Sequence, residues 1–451
     1  MKKKRAILIN PPIHDVITNL FVQHPYGLLK ISAYLKSTGY DVSWIDCMEE
    51  CYYPEYSDNP FFLNSTPPVR DTRLCGYSRS GTGKKRYHLG LPYSHIPEQL
   101  KQIGRPDEIY VGSSLTYYYE GVHEAIHFCK KTYPDVPVLM GGIYPTICPG
   151  HAGTSEADTV VAGELEPATN LTPDTSLLKK DKADYVVIKT TRGCPRRCSY
   201  CAVPFIDGRT IRHRDIPDVM KEIELRIRTG YKRLIFWESN ILSDAPDYLE
   251  LLLDEMIRKK LHIPIEFPEG LDGRLLYPRL VEKLKAAGLK WVFLSLESRD
   301  RELQKRFHKN LSLPAFKNSV EMFRRYGYCS AKRHNYYTDR GISVFILIGL
   351  PGQSLESILL TILDVWRSGC RPLLMAFTPI PGTEEYNNLP PRLKNKKLED
   401  LLPRLWPCST RNLPAEDLDE LMHFNYIYCS FEQIRDLQPR TRIDKMLKTL
   451  P

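Results

Sequence analysis

Thr191–Ala202 reads T-R-G-C-P-R-R-C-S-Y-C-A and places Cys194, Cys198 and Cys201 in a C-x3-C-x2-C spacing. Three thiols this close cannot all pair as disulfides: one is left over, and loops this short strain the bond. As thiolates they can wrap one corner of a metal cluster. A [4Fe–4S] cluster usually takes four protein thiolates, so three leave one iron open to a substrate or cofactor. Tyr200, between the last two cysteines, offers an aromatic ring to a flat ligand. Zinc would want a fourth Cys or His nearby, and His213, the nearest His downstream, stands at no common zinc spacing.

The flanking sequence sets this loop in a fold. Tyr185–Lys189 (Y-V-V-I-K) reads as a strand leading into it. Further strands are expected at Arg233–Trp237, Ile263–Phe267, Trp291–Leu296, Ser343–Ile348 and Leu373–Phe377, with helical stretches between them, one including Lys221–Arg228. Upstream, Arg5–Asn10, Asp41–Asp46, Glu108–Leu115, Val136–Ile143 and Asp158–Ala162 read as strands, and Tyr26–Ser37 and Tyr119–Thr132 as helices. Such alternation predicts an α/β chain whose first sheet is parallel and doubly wound. Ligands on such sheets lie beyond the carboxyl ends of the strands. The loops after Asn10, Gly112, Met140 and Ala162 are therefore the informative ones.

A chain of 451 residues is too long for one core. The expected division is a first domain at 1–165 with an insertion at about 47–106, a polar linker at 166–184, a second domain at 185–386 and an extension at 387–451. Asn64–Lys85 in the insertion reads as an extended loop. Tyr87–Pro92 reads as ordered and is expected over the active-site face. The extension holds a helical pattern near Glu416–Arg435 and is expected to stand apart, capping the mouth of the second domain.

Composition is 42% hydrophobic and 26% charged, with a net charge of +9. No apolar run approaches the ~18 residues that cross a bilayer. The basic start Met1–Arg5 leads into a short apolar segment broken at Pro11-Pro12, which is not the pattern of a signal peptide. Twelve cysteines without such a signal point to a reducing, cytoplasmic setting. The basic charge is too diffuse to indicate nucleic acid. Arg209, Arg212 and Arg214 form a local basic cluster that suits either an anionic substrate or a solvated helix entry.

The cysteine spacing, with its aromatic residue before the third cysteine, resembles the radical S-adenosylmethionine (radical SAM) superfamily. The resemblance implies a partial (β/α)6 barrel, a [4Fe–4S] cluster on Cys194, Cys198 and Cys201, and S-adenosylmethionine chelated by the open iron. It implies cofactor contacts from Tyr200, from Glu238 and Asn240 after the second strand, from Glu297 and Ser298 after the fourth, and from Gly349 in the turn after the fifth. The family's G-G-E form is absent at Glu238. Asp272 and Arg274 are expected to face the substrate.

The first domain resembles the Rossmann-like cobalamin-binding domains fused to radical SAM domains. Ser113-Ser114-Leu115 matches their S-x-L element and Gly141-Gly142 their G-G element. The resemblance implies that Pro12, Ser113, Leu115, Thr116, Gly141, Gly142 and Gly163 border cobalamin. The D-x-H-x-x-G element is absent; His14-Asp15 lies in the right loop in the wrong order. The usual histidine ligand to cobalt is therefore not supplied by that motif. The two resemblances cover roughly Lys4–Tyr386.

Together they imply methyl transfer to an unactivated carbon or phosphorus centre of a small molecule, with an external low-potential electron donor such as flavodoxin or ferredoxin. Three other readings are a cobalamin-fused cyclase or rearrangement enzyme, a methylthiotransferase, and a non-catalytic cluster or cobalamin protein. C-S-Y-C-A-V-P-F resembles the methylthiotransferase group, whose N-terminal domain normally carries a second cysteine trio.

Overall fold

The computed structural model describes residues 3–16, 24–49, 84–179, 185–328, 340–427 and 441–450. Two parallel sheets dominate it. The first holds β1 (Arg5–Asn10), β3 (Asp41–Asp46), β5 (Glu108–Val111), β6 (Val138–Met140) and β7 (Thr159–Val160) in the order β3-β1-β5-β6-β7. In chain order that is 2-1-3-4-5, the doubly wound arrangement with its switch point between β1 and β5. Helices Tyr26–Ser37 and Tyr119–Thr132 form where periodicity predicted them. A small antiparallel pair, β2 (Ile13–Asp15) and β4 (Tyr87–Leu89), extends the loop after β1.

The second sheet begins with β8 (Tyr185–Ile188). The cysteine loop follows, opened by β9 (Thr191–Arg192) and closed by β10 (Arg212–His213), which pair with each other. Then come β11 (Arg233–Phe236), β12 (Ile265–Glu266), β13 (Leu289–Glu297), β14 (Gly341–Ile348) and β15 (Arg371–Ala376). The six strands β8, β11, β12, β13, β14 and β15 pair in chain order and all in parallel. Among the described residues β15 does not return to β8, so the barrel is open. β13 and β14 are near-continuous apolar runs because helices cover the sheet. The α/β class, the doubly wound first sheet and the six-strand second sheet are as expected.

Three expectations change. The strands expected to run to Leu115 and Ile143 stop at Val111 and Met140. Gly112 lies so close to Leu28 that a Cβ would fall 2.7 Å from its Cδ1, and Gly142 has φ +114°; both geometries end a strand. The stretch read as a linker is clasped rather than free. Lys30 donates to the Thr169 and Leu171 carbonyls. Buried Arg226 donates to Thr175 Oγ1 at 2.6 Å and the Pro173 carbonyl at 2.7 Å.

The C-terminal extension is not separate. Leu398 and Leu401 join the core under the first sheet, while Leu418, Leu421, Ile443 and Leu447 join the core of the second. Its apolar residues thus complete two larger cores. The extended loop expected at Asn64–Lys85 lies almost wholly outside the described residues. Among the described residues no helix is long and apolar enough to cross a membrane.

Candidate active site

The cysteine loop is fixed at both ends by buried carboxylates. At its entrance Glu238 accepts from Thr190 N (2.6 Å), Thr190 Oγ1 (2.9 Å), Thr191 N (2.9 Å) and Thr191 Oγ1 (2.5 Å). Four bonds fill a carboxylate's acceptor sites. Glu238 is thus a clamp on the loop. Burial raises its carboxyl despite those bonds. Ser239 donates to Asp207, which pairs with Lys189 at 2.7 Å and Arg192 at 2.8 Å. Asn240, half-buried, immediately precedes the short helix Ile241–Asp244.

At the exit Ser199 donates to Glu385 at 3.0 Å, and their backbones bond as well. Glu385 is in turn held by Arg306, which also donates to the Pro351 carbonyl at 2.6 Å. Inside the loop Gly193 takes φ +91° with its Cα against the Thr210 carbonyl, a place no side chain fits.

The three thiols are free of disulfides. Cys194 is buried, and Cys198 and Cys201 are half-buried. Burial pushes the Cys198 and Cys201 thiols up, the latter to about 12, so a metal must displace their protons on binding. Among the described residues no three His, Cys, Asp or Glu side chains converge on a single metal ion. A cuboidal cluster makes a different demand, since each thiolate binds its own iron. An odd set of unbridged thiols on one clamped loop fits that group.

β13 ends on the most unusual backbone in this region. Glu297 has φ +65° and follows a register shift at Ser295. Bulges and left-handed residues of this kind re-aim a side chain. The Glu297 carboxylate accepts from buried Lys309 at 3.2 Å and meets the Tyr200 hydroxyl, leaving acceptor sites over. Burial opposes the Lys309 charge, but Glu297 and Cys198 outweigh it and hold its pKa above the usual value. Tyr200 stands edge-on to Phe307, ring centroids 5.6 Å apart. Ser298 is buried and accepts from Asp300 N at 3.1 Å.

Asp272 and Arg274 are brought to this region and bond each other through two pairs of atoms, at 2.8 and 2.6 Å. Arg196 of the cysteine loop lies 3.4 Å from Asp272, and Arg274 donates to the Lys309 carbonyl. Gly349 is buried, and a Cβ there would lie 3.1 Å from Trp406 of the C-terminal segment.

The rim of the first sheet forms a cradle. Gly142 lies so close to Ser113 that a Cβ would fall 2.6 Å from its Oγ. Ser113 donates to the Gly141 carbonyl at 2.9 Å. Thr146 links the next loop, accepting from Gly163 N at 2.8 Å and donating to the Gly142 carbonyl at 2.7 Å. Leu115, Gly142 and Gly163 are exposed on this rim, whereas Pro12 and Thr116 are buried behind it. His14 is turned away: Nδ1 meets Glu120 at 3.3 Å and Nε2 the Tyr93 hydroxyl at 2.8 Å. Tyr87–Leu89 packs on that same loop through β2.

The two rims face each other. Helix Ile143–Ile147, just after Gly142, packs on Val203–Ile206, just after Cys201. Glu164 beyond β7 takes Arg212 at 2.6 and 3.1 Å and Arg192 at 3.3 Å.

Sequence reasoning missed Lys309, Glu385, Arg196, Thr146 and Glu269. Lys309 sits between two left-handed residues, His308 and Asn310, a turn with no sequence signature. Glu269 is exposed on the loop after β12.

Residues 188–365 match the family model described as the radical SAM superfamily. A putative methylthiotransferase of Methanocaldococcus jannaschii is 29% identical over 63% of this chain and 62% of its own length. The bacteriochlorophyllide d C-12(1)-methyltransferase of Chlorobaculum tepidum is 24% identical over 57% of this chain and 61% of its own. The chain thus spans about three fifths of the length of either relative. Among solved structures, the radical S-adenosylmethionine methyltransferase TsrM of Kitasatospora setae, with cobalamin and a [4Fe-4S] cluster bound, superposes with a TM-score of 0.60 at 16% identity. That match covers 85% of this chain and 77% of TsrM. Residues 188–365 therefore form a radical SAM domain, set in a chain whose two-sheet fold is similar to that of a cobalamin-binding radical SAM methyltransferase.

Proposed function

We propose that this chain is a radical SAM enzyme that transfers a methyl group to an unactivated carbon or phosphorus centre of a small molecule, using cobalamin. The observation that carries the reading is the juxtaposition of the two rims. The clamped cysteine loop and the glycine cradle, each at the carboxyl ends of its own sheet, are joined by helix packing and by the Glu164 bridges. In this reading Cys194, Cys198 and Cys201 hold a [4Fe–4S] cluster, and Glu297, Tyr200 and Asn240 border S-adenosylmethionine. Ser113, Leu115, Gly141, Gly142 and Gly163 border cobalamin, with no histidine from the His14 loop. The bound groups supply a carbon radical and a transferable methyl group.

The chain's own residues orient and enclose. Glu238 and Glu385 fix the loop, and Lys309 neutralises Glu297 beside the thiolates. Asp272 and Arg274 are the pair that would face a substrate. Electrons come from an external low-potential donor, in the reducing cytoplasm.

The 29% identical relative favours a second reading, methylthiotransfer. Cys47 and Cys129 are sealed in the first core, and Cys51 and Cys75 lie outside the described residues.

The test is anaerobic. The cluster is reconstituted, S-adenosylmethionine and a low-potential reductant are added, and 5′-deoxyadenosine and S-adenosylhomocysteine are quantified with and without cobalamin. Deoxyadenosine, with S-adenosylhomocysteine that requires cobalamin and with both lost in Cys198→Ala, supports the proposal. Binding of a second cluster supports methylthiotransfer instead. Neither product from a protein with an intact cluster overturns both readings.

A further inference from the structure

The cysteine loop is basic on the surface it shows to solvent. From Thr190 to Ile206 it holds three arginines and no Asp or Glu, and Arg209 and Arg212 lie on its closing arm. Three of these five are committed to carboxylates: Arg192 to Asp207 at 2.8 Å, Arg196 to Asp272 at 3.4 Å and Arg212 to Glu164 at 2.6 Å. Arg197 and Arg209 are not. Both are exposed, and neither forms an ion pair among the described residues. Arg209 makes one bond, from Nη1 to the Arg196 carbonyl at 3.0 Å. That bond sets its guanidinium against the peptide group that joins Arg196 to Arg197.

The pair stands close to the thiols by chain and by hydrogen bonding. Arg197 precedes Cys198, and Cys194 N donates to the carbonyl of Gly208, the residue before Arg209, at 3.1 Å. Glu164 and Glu166, which border the hollow beside Arg209, act on Arg212 instead. Two guanidinium groups in water do little to offset the charge of a cluster, because solvent screens them; the buried cation beside the thiols is Lys309. They are also too few for nucleic acid, whose binding neutralises many phosphates. An exposed and unpaired basic pair at this loop suits an acidic protein that must come near the thiols.

We propose that Arg197 and Arg209 mark the docking face for an acidic, low-potential electron carrier. The proposal rests on the radical SAM reading, which calls for such a carrier without saying where it lands. The carrier gives one electron to the group held by the thiols and leaves oxidised by one; no bond in this chain forms or breaks. Electron-transfer encounters bury little surface, and opposite charges steer them and set their rate. Two free arginines within a residue or two of the thiols supply that steering where the electron is needed.

Titration calorimetry of the reconstituted full-length protein with a flavodoxin, and with a ferredoxin in parallel, at low and at high salt tests it. The expected result is binding that weakens steeply with salt and falls at least roughly tenfold in Arg197→Glu/Arg209→Glu. Arg228→Glu/Lys232→Glu, the same change of charge at exposed positions ahead of β11, leaves it unchanged. Arg197 has no side-chain bond among the described residues, so Arg197→Glu alone keeps the test open if Arg209→Glu disturbs the loop. Deoxyadenosine formation is expected to fall in the double variant when flavodoxin supplies the electrons and to match the parent chain when dithionite does. Absence of deoxyadenosine from the parent chain with dithionite overturns the radical reading alone, and the binding arm still decides the face. Absence of salt-sensitive binding by both carriers, an equal weakening in the control pair, or an equal loss of product with dithionite overturns the proposal. Binding of a tRNA pool that the double variant loses, with flavodoxin binding unchanged, overturns it in favour of nucleic acid.

Discussion

Glu238 shows how much one buried carboxylate organises. Its four acceptor contacts tie the end of β8 and the start of the cysteine loop to the end of β11 through a single side chain. Glu238→Gln replaces one acceptor oxygen by an NH2 group facing donors, leaving buried N–H or O–H groups unpaired. The expected cost is about 2 kcal/mol, read as a lower Tm, together with a lower iron content after reconstitution. A Tm shift with full iron loading would show that the clamp serves stability alone. Its role was not legible in the sequence. A glutamate at a strand end reads as a ligand contact, and only the distances to Thr190 and Thr191 reveal that its valence is spent. Glu297 was legible as a strand-end carboxylate, whereas its partner Lys309 was not, because a left-handed turn brings it back.

At the scale of the element, the cradle on the first sheet rests on turn geometry. Gly142 combines φ +114° with a Cα pressed on Ser113, so Gly142→Ala strains the backbone and drives a Cβ into Ser113. The expected loss is about 2–3 kcal/mol of stability with loss of cobalamin retention on a desalting column. Gly150→Ala, where a Cβ meets nothing within 4 Å, is the matched control and should leave both unchanged. The S-x-L and G-G elements were readable because each needs a particular residue type at a strand end. Thr146, which ties the two glycine turns together, was not, since a threonine inside a short helix has no distinguishing pattern.

For the whole molecule, the junction of the sheets carries a pH dependence. His24 stacks on Tyr185 at the start of β8, ring centroids 4.9 Å apart. Burial holds its pKa down to about 4 against 6.5 in an unfolded chain. The unfolded state therefore binds more protons between those values, and stability falls as pH drops from about 6.5 to 4. The share from this group is on the order of 3 kcal/mol. Urea titrations at pH 7 and pH 5 should show a smaller loss on acidification for His24→Phe than for the parent chain; an equal loss assigns the acid sensitivity elsewhere. The two-sheet plan was legible from strand–helix alternation. The clasped linker and the woven C-terminal segment were not, because polar side chains that bond across a junction look in sequence like those that face water.

That woven segment sets a timetable. The first core waits for Leu398 and Leu401 and the second for residues as late as Leu447, which leave the ribosome roughly 200 to 250 positions after the cysteine loop. At about 5–20 residues per second, the nascent chain spends on the order of 10–50 s with its three thiols made but their enclosure unfinished. The loop that carries the thiols is thus made well before the cores beneath it can close.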